Sequence, residues 1–125
     1  MTKPKLLIVE DNKLFLDSIV FALEQDFEID TASDLKSAMK KLNEKNYNIV
    51  STDGAFPEYE GGPLGNHGNL SEQDYRGDIV AKIAKNKGAY VVGVTTEPDR
   101  LKEPNVVLKK PINVLEYKSL LKQYS

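Results

Sequence analysis

Glu10, Asp11, Asp53, Thr95 and Lys110 are the residues whose types could do chemistry together, because each closes a short apolar run. Glu10 and Asp11 follow Leu6-Leu7-Ile8-Val9, and Asp53 follows Ile49-Val50-Ser51-Thr52. Thr95 and Thr96 end the run 89–95, and Lys109-Lys110-Pro111 ends the run 106–108. Three carboxylates at close range repel and raise one another's pKa. A divalent cation and a lysine ammonium would relieve this. Oxygen ligands alone, in a chain without cysteine, favour Mg²⁺ over zinc. Each residue also has an ordinary reading. A carboxylate after a strand can cap a helix, which applies to Asp11. Asp53-Gly54 can be a turn, and Lys110 can be a solvated surface charge.

The elements that would position these residues alternate along the chain. Residues 6–9 read as a buried strand, short, continuous and apolar. Residues 12–24 read as a helix with Leu16, Ile19, Val20 and Leu23 on one face. A weaker strand follows at 27–31. A second helix at 34–45 carries Leu35, Ala38, Met39 and Leu42 at helical spacing, capped by Ser33 or Asp34. Residues 47–52 form a third strand. The regular beat then fails at 56–70, a glycine-rich loop. Long loops inside small domains tend to be functional or mobile. Ser71 is expected to open the next helix, with Glu72 and Asp74 in its first turn and Gly88 after its end. Strands at 89–95 and 106–108 flank a stretch, 97–104, that has room for no more than about one helical turn. A final helix at 113–124 places Tyr117, Leu120, Leu121 and Tyr124 inward. Strands alternating with helices argue for a parallel sheet covered on both faces. Ligands of such sheets bind at the carboxyl ends of the strands. If the first and third strands are neighbours, the three carboxylates, the hydroxyl and the amine converge there.

The chain is 125 residues long, enough for a single domain, 1–125. A net charge of −2 and no helix-turn-helix pattern argue against direct binding of nucleic acid. An apolar share of 40% excludes a disordered chain. No apolar run approaches the ~20 residues of a membrane span, and no signal-peptide pattern is present. The expectation is a cytoplasmic protein without membrane partners.

The chain resembles the response-regulator receiver domains, the phospho-acceptor modules of two-component signalling. The resemblance rests on Leu6-Leu7-Ile8-Val9-Glu10-Asp11-Asn12, on Ile49-Val50-Ser51-Thr52-Asp53 followed by Pro57 and Gly61, on Val94-Thr95 and on Lys110-Pro111. It covers almost the whole chain. It implies an α/β fold, the doubly wound flavodoxin-like receiver fold with a five-stranded parallel sheet in the order 2-1-3-4-5. It implies that Asp53 accepts a phosphoryl group from a histidine kinase or phosphotransfer protein, giving an acyl phosphate in a phosphorelay. Glu10 and Asp11 would hold Mg²⁺ with Asp53, and the backbone carbonyl of Ala55 would be a further ligand. Lys110 would pair with Asp53 and then with the phosphoryl oxygens. Thr95 would be the switch hydroxyl. The peptide before Pro111 is commonly cis in the family. The chain would signal by protein contact with an unidentified output partner and would not be a conventional enzyme.

Three features depart from the family pattern. Asp53 and Thr95 stand 42 positions apart, more than usual, while Thr95 and Lys110 stand 15 apart, fewer than usual. The family's fourth helix should therefore be truncated or missing. Val107 stands where a Tyr or Phe is frequent, so no aromatic at that position can couple to Thr95. Thr96 replaces a residue that is usually small, and it could restrict access to Asp53 or add a hydrogen bond. If the usual relay is absent, the signal is expected to pass through the 56–70 loop and the helix after it.

Two rival functions are compatible with these residues. One is a receiver-like adaptor that docks constitutively, without phosphorylation. The other is a Mg²⁺-dependent phosphohydrolase with Asp53 as nucleophile, for which the chain offers no obvious second acid. The glycines after Gly61 are followed by no Gly-Lys-Ser/Thr ending of a nucleotide loop. His67, the one histidine, reads as a loop residue.

Overall fold

Along the first strand, β1 (Lys5–Val9), successive apolar side chains point to opposite faces of the sheet, and both faces are covered. Leu7 and Val9 join one core and Leu6 and Ile8 join the other. That is why the strand reads as a continuous apolar run rather than an alternating one. The computed structural model describes residues 2–62 and 75–125. The expected helix start at Ser71, with Glu72 and Asp74, lies outside the described residues, as do His67 and the loop beyond Gly62.

The elements follow in the order β1, α1 (Lys13–Leu23), β2 (Glu28–Ala32), α2 (Leu35–Glu44), β3 (Ile49–Thr52), α3 (Arg76–Asn86), β4 (Tyr90–Thr95), β5 (Val106–Lys109) and α4 (Val114–Gln123). All strand pairs are parallel, in the order β2-β1-β3-β4-β5. This is the expected sheet. The first core packs Ala38 and Leu42 of α2 and Val80, Ala81 and Ala84 of α3 on Leu7, Val9, Val50 and Val91. The second packs Ile19 and Leu23 of α1 and Tyr117 and Leu121 of α4 on Leu6, Ile8, Ile49, Val92 and Val94. Tyr124 departs from the expected inward face. Helix α4 ends at Gln123, so Tyr124 lies beyond the last turn, 42% exposed, with its ring stacked on Tyr90 at 4.0 Å.

Local chemistry sets the helix starts. Asn12, Asp34 and Asn113 each accept a hydrogen bond from the backbone N–H three residues on, at 3.1, 2.7 and 3.1 Å. Asn12 is the cap of α1, so the capping alternative for Asp11 falls away. Gly88 ends α3 with φ +91°, a conformation that favours glycine. Tyr75 is the residue before α3 and lends it no side-chain cap.

Between β4 and β5 the chain makes only one 3-10 turn, Pro98–Arg100. The expected loss of the family's fourth helix is therefore observed. The connection folds back on the sheet instead. A Cβ on Gly93 would lie 2.5 Å from Leu101 Cδ2 and 3.0 Å from Pro104 Cγ, so glycine is what lets the connection seat there. Asp78 of α3 holds it by accepting from the backbone N–H groups of Lys102 and Glu103, both at 2.8 Å.

Candidate functional site

The register carries the chemistry to one edge. Val9 pairs with Thr52, Thr52 with Gly93 and Thr95 with Lys109, so Glu10, Asp53, Thr95 and Lys110 leave neighbouring strand ends. Backbone hydrogen bonds extend the sheet one step further: Asp53 N–H donates to Val9 O at 2.9 Å and Lys110 N–H to Thr95 O at 2.8 Å. The Lys110-Pro111 peptide is cis, as the resemblance implied.

One carboxylate oxygen from each of Glu10, Asp11 and Asp53 lies within 4.8 Å of the others. Lys110 Nζ bridges two of them, 2.8 Å from Glu10 Oε1 and 3.2 Å from Asp53 Oδ2. The pairing with Asp53 that the resemblance implied is thus present, and the lysine also reaches Glu10, slightly closer. Its ammonium also sits over the Phe15 ring, 4.6 Å from the centroid. The solvated-surface reading of Lys110 is excluded by these contacts. Asp53 Oδ1 accepts from Gly54 N–H at 2.6 Å, and Glu10 Oε2 from Asn12 N–H at 3.1 Å.

Electrostatically the cluster is short of positive charge. Burial pushes the Asp53 carboxyl above its ordinary range, and the Lys110 ammonium only partly offsets this. Glu10 is raised by burial and then by the Asp53 charge; Asp11 is raised by burial and then by Glu10. Lys110 is held protonated: burial opposes its charge, but Glu10 and Asp53 outweigh it and raise its pKa. Three carboxylates against one ammonium, with only oxygen donors, suit a hard divalent cation. Asp11 is exposed and Asp53 half-buried, which leaves the cluster open on the Asp11 side.

Thr95 stands apart from this group in its bonding. Its hydroxyl is paired with the Tyr75 hydroxyl at 2.9 Å and accepts from Glu97 N–H at 3.3 Å; among the described residues it makes no hydrogen bond to Asp53. The aromatic partner that Val107 does not provide thus comes from a different element. Ala55 lies half-buried two residues beyond Asp53, and Thr96 is exposed. Sequence reasoning missed Tyr75, Gly77 and Phe15. Gly77 N–H donates to Gly54 O at 2.9 Å, and a Cβ on Gly77 would lie 2.2 Å from Asp53 O. The glycine next to the helix start was the available signal, since a glycine tolerated inside a helical pattern often has a packing reason.

No family sequence model matches the chain, and no curated protein matches it in sequence. Solved structures match its fold. A CheY-like response regulator receiver domain from Methylobacillus flagellatus superposes with a TM-score of 0.74 at 19% identity, covering 99% of this chain and 100% of that one. The receiver domain of a Pseudomonas aeruginosa PAO1 sensor histidine kinase, with magnesium coordinated in its active-site cleft, gives 0.68 at 15% identity over 98% of both chains. A Burkholderia pseudomallei response regulator with a phosphorylated aspartic acid, a calcium ion and citrate gives 0.67 at 17% identity, over 98% of this chain and 67% of that one. The chain has the fold of the response-regulator receiver domains.

Proposed function

We propose that this chain is a phospho-acceptor signalling domain of a two-component system, modified on Asp53. The observation that carries the reading is the bridging of Glu10 and Asp53 by Lys110 beside Asp11, all at the carboxyl edge of β1, β3 and β5. The donor would be a phosphohistidine of a histidine kinase or phosphotransfer protein. An Asp53 oxygen attacks phosphorus, an O–P bond forms, and the P–N bond breaks with the imidazole taking up a proton. Glu10, Asp11, Asp53 and the Ala55 carbonyl would hold a magnesium ion. When bound, it would supply charge neutralisation to the phosphoryl oxygens. Lys110 holds Asp53 in place before transfer and offers its ammonium to the phosphoryl group afterwards. The chain would catalyse its own modification and slow dephosphorylation, without turnover of a separate substrate.

Exposed apolar side chains on α1 and on α4 support a protein partner. Leu14 and Phe21 of α1 and Leu115 of α4 are 84%, 80% and 79% exposed. No helix among the described residues is long and apolar enough to cross a membrane. A cytoplasmic site of action fits the proposed donor.

The test is intact-mass measurement after incubation with a small phosphodonor and Mg²⁺. A phosphoryl adduct that disappears in Asp53→Asn supports the reading; an unmodified wild-type protein sinks it. The adaptor reading, docking without phosphorylation, is favoured by one observation, the commitment of the Thr95 hydroxyl to Tyr75. It would be supported by an unmodified mass together with partner binding that Asp53→Asn leaves intact.

A further inference from the structure

We infer that Tyr75 is a positioning residue for the acceptor site: it holds the Thr95 hydroxyl away from Asp53 at rest, and transfer to Asp53 must release it. The inference rests on the reading of Asp53 as phosphoryl acceptor. Four observations carry it. The Tyr75 side chain is buried, and its hydroxyl bonds Thr95 Oγ1 at 2.9 Å. Its ring edge lies against Gly54, where a Cβ would stand 2.3 Å from Cε2 and 2.9 Å from the hydroxyl oxygen. The residues that follow it clamp the acceptor's own backbone, with Gly77 N–H donating to Gly54 O at 2.9 Å. The Arg100 guanidinium, on the short connection that replaces a helix, sits 5.0 Å from the ring centroid.

Tyr75 thus touches the switch hydroxyl, the peptide after the acceptor and the β4–β5 connection at once. A phosphoryl group on Asp53 adds acceptor oxygens and negative charge beside Thr95. If the Thr95 side chain rotates to donate to them, the Tyr75 hydroxyl loses its partner inside a buried site, which is unfavourable. The bond therefore biases the resting state against transfer. The same contact links modification of Asp53 to Arg100 and to the start of α3.

Tyr75→Phe removes the hydroxyl and keeps the ring, so the packing on Gly54 and Arg100 survives. With a small phosphodonor and Mg²⁺, the adduct should form faster in Tyr75→Phe, or persist longer, by roughly 2- to 10-fold, the factor carried by one net hydrogen bond. Thr95→Val should slow adduct formation. In the Thr95→Val background, Tyr75→Phe should have no further effect, because Tyr75 acts through Thr95; a purely structural role would add in both backgrounds. Side-chain scalar couplings of Thr95 give a readout that needs no phosphorylation: one fixed χ1 rotamer in the wild type and averaging in Tyr75→Phe. Unchanged adduct kinetics in Tyr75→Phe, or additive effects in the double variant, would overturn the inference. A wild type that takes no adduct defeats the acceptor reading instead. The couplings then still judge the hold, and a Thr95 rotamer equally fixed in Tyr75→Phe overturns it.

Discussion

The two halves of the sheet's carboxyl edge are built differently. At the ends of β1 and β3, Glu10, Asp11 and Asp53 crowd together around Lys110, and the tension there is electrostatic. At the end of β4 and along the connection to β5, the contacts are neutral or screened: a hydroxyl pair, a tyrosine under a guanidinium, a leucine on a glycine. On the proposed reading, the first half would receive the phosphoryl charge and the second would respond to it. The receiver fold thus keeps its carboxylate cluster and bridging lysine while the connection beside Thr95 shrinks to one 3-10 turn. The two halves meet at Asp53–Gly54, which the start of α3 grips from below.

This contrast can be broken most sharply at Asp53. Asp53→Asn is expected to abolish the phosphoryl adduct, as read by intact mass, while leaving the circular dichroism spectrum of the fold unchanged. Lys110→Ala removes the ammonium that bridges Glu10 and Asp53 and should slow adduct formation by about 10²- to 10³-fold, the scale seen when a single charge-stabilising donor is lost. Neither change should disturb the Thr95–Tyr75 pair, which side-chain couplings of Thr95 would check.

A probe of the junction comes next. Gly77→Ala forces a methyl into the Asp53 carbonyl, 2.2 Å from where the Cβ would sit, and should cost about 1–3 kcal/mol of stability by denaturant titration. The smallest expected effect is the pH response of the metal-free protein. Glu10, Asp11 and Asp53 are raised above 4.5, 3.8 and 3.8 respectively. The folded state then binds protons more tightly than the unfolded state. Stability contributed by these groups is present at acid pH and is lost as pH rises from those ordinary values through the raised ones. Two other carboxylates work in the opposite direction. The Lys118 ammonium lowers Asp26 against some burial; at Asp30 burial opposes, but Tyr47 and Lys45 outweigh it. Their contribution is lost only as pH falls below 3.8. Thermal unfolding in chelator from pH 7 to pH 4.5 should show the gain, and Asp53→Asn should flatten it. A stability that declines over that interval would contradict the acidic half as described.

Much of the molecule was legible along the chain. Apolar runs ending in Glu10, Asp53, Thr95 and Lys109 located the strands and placed chemistry at their ends, because a strand buried on both faces tolerates polar groups only where it emerges. Asp34, offered with Ser33, marked one helix start, since a cap acts on the backbone three residues away; the caps of α1 and α4, Asn12 and Asn113, emerged only in the structure. The short interval from Thr95 to Lys110 foretold the missing helix. Tyr124 misled, because helical spacing says nothing about where the last turn unwinds.

What the amino-acid order determined by itself was local: which segments fold as strand or helix, where they end, and which reactive side chains stand at those ends. Packing decided which of those side chains meet. Lys110 reaches Glu10 across 100 positions, and Tyr75 reaches Thr95 across 20, only because parallel register and the seating of α3 on Gly54 bring them together. Such pairings depend on the relative placement of whole elements, which no periodicity within a single element encodes.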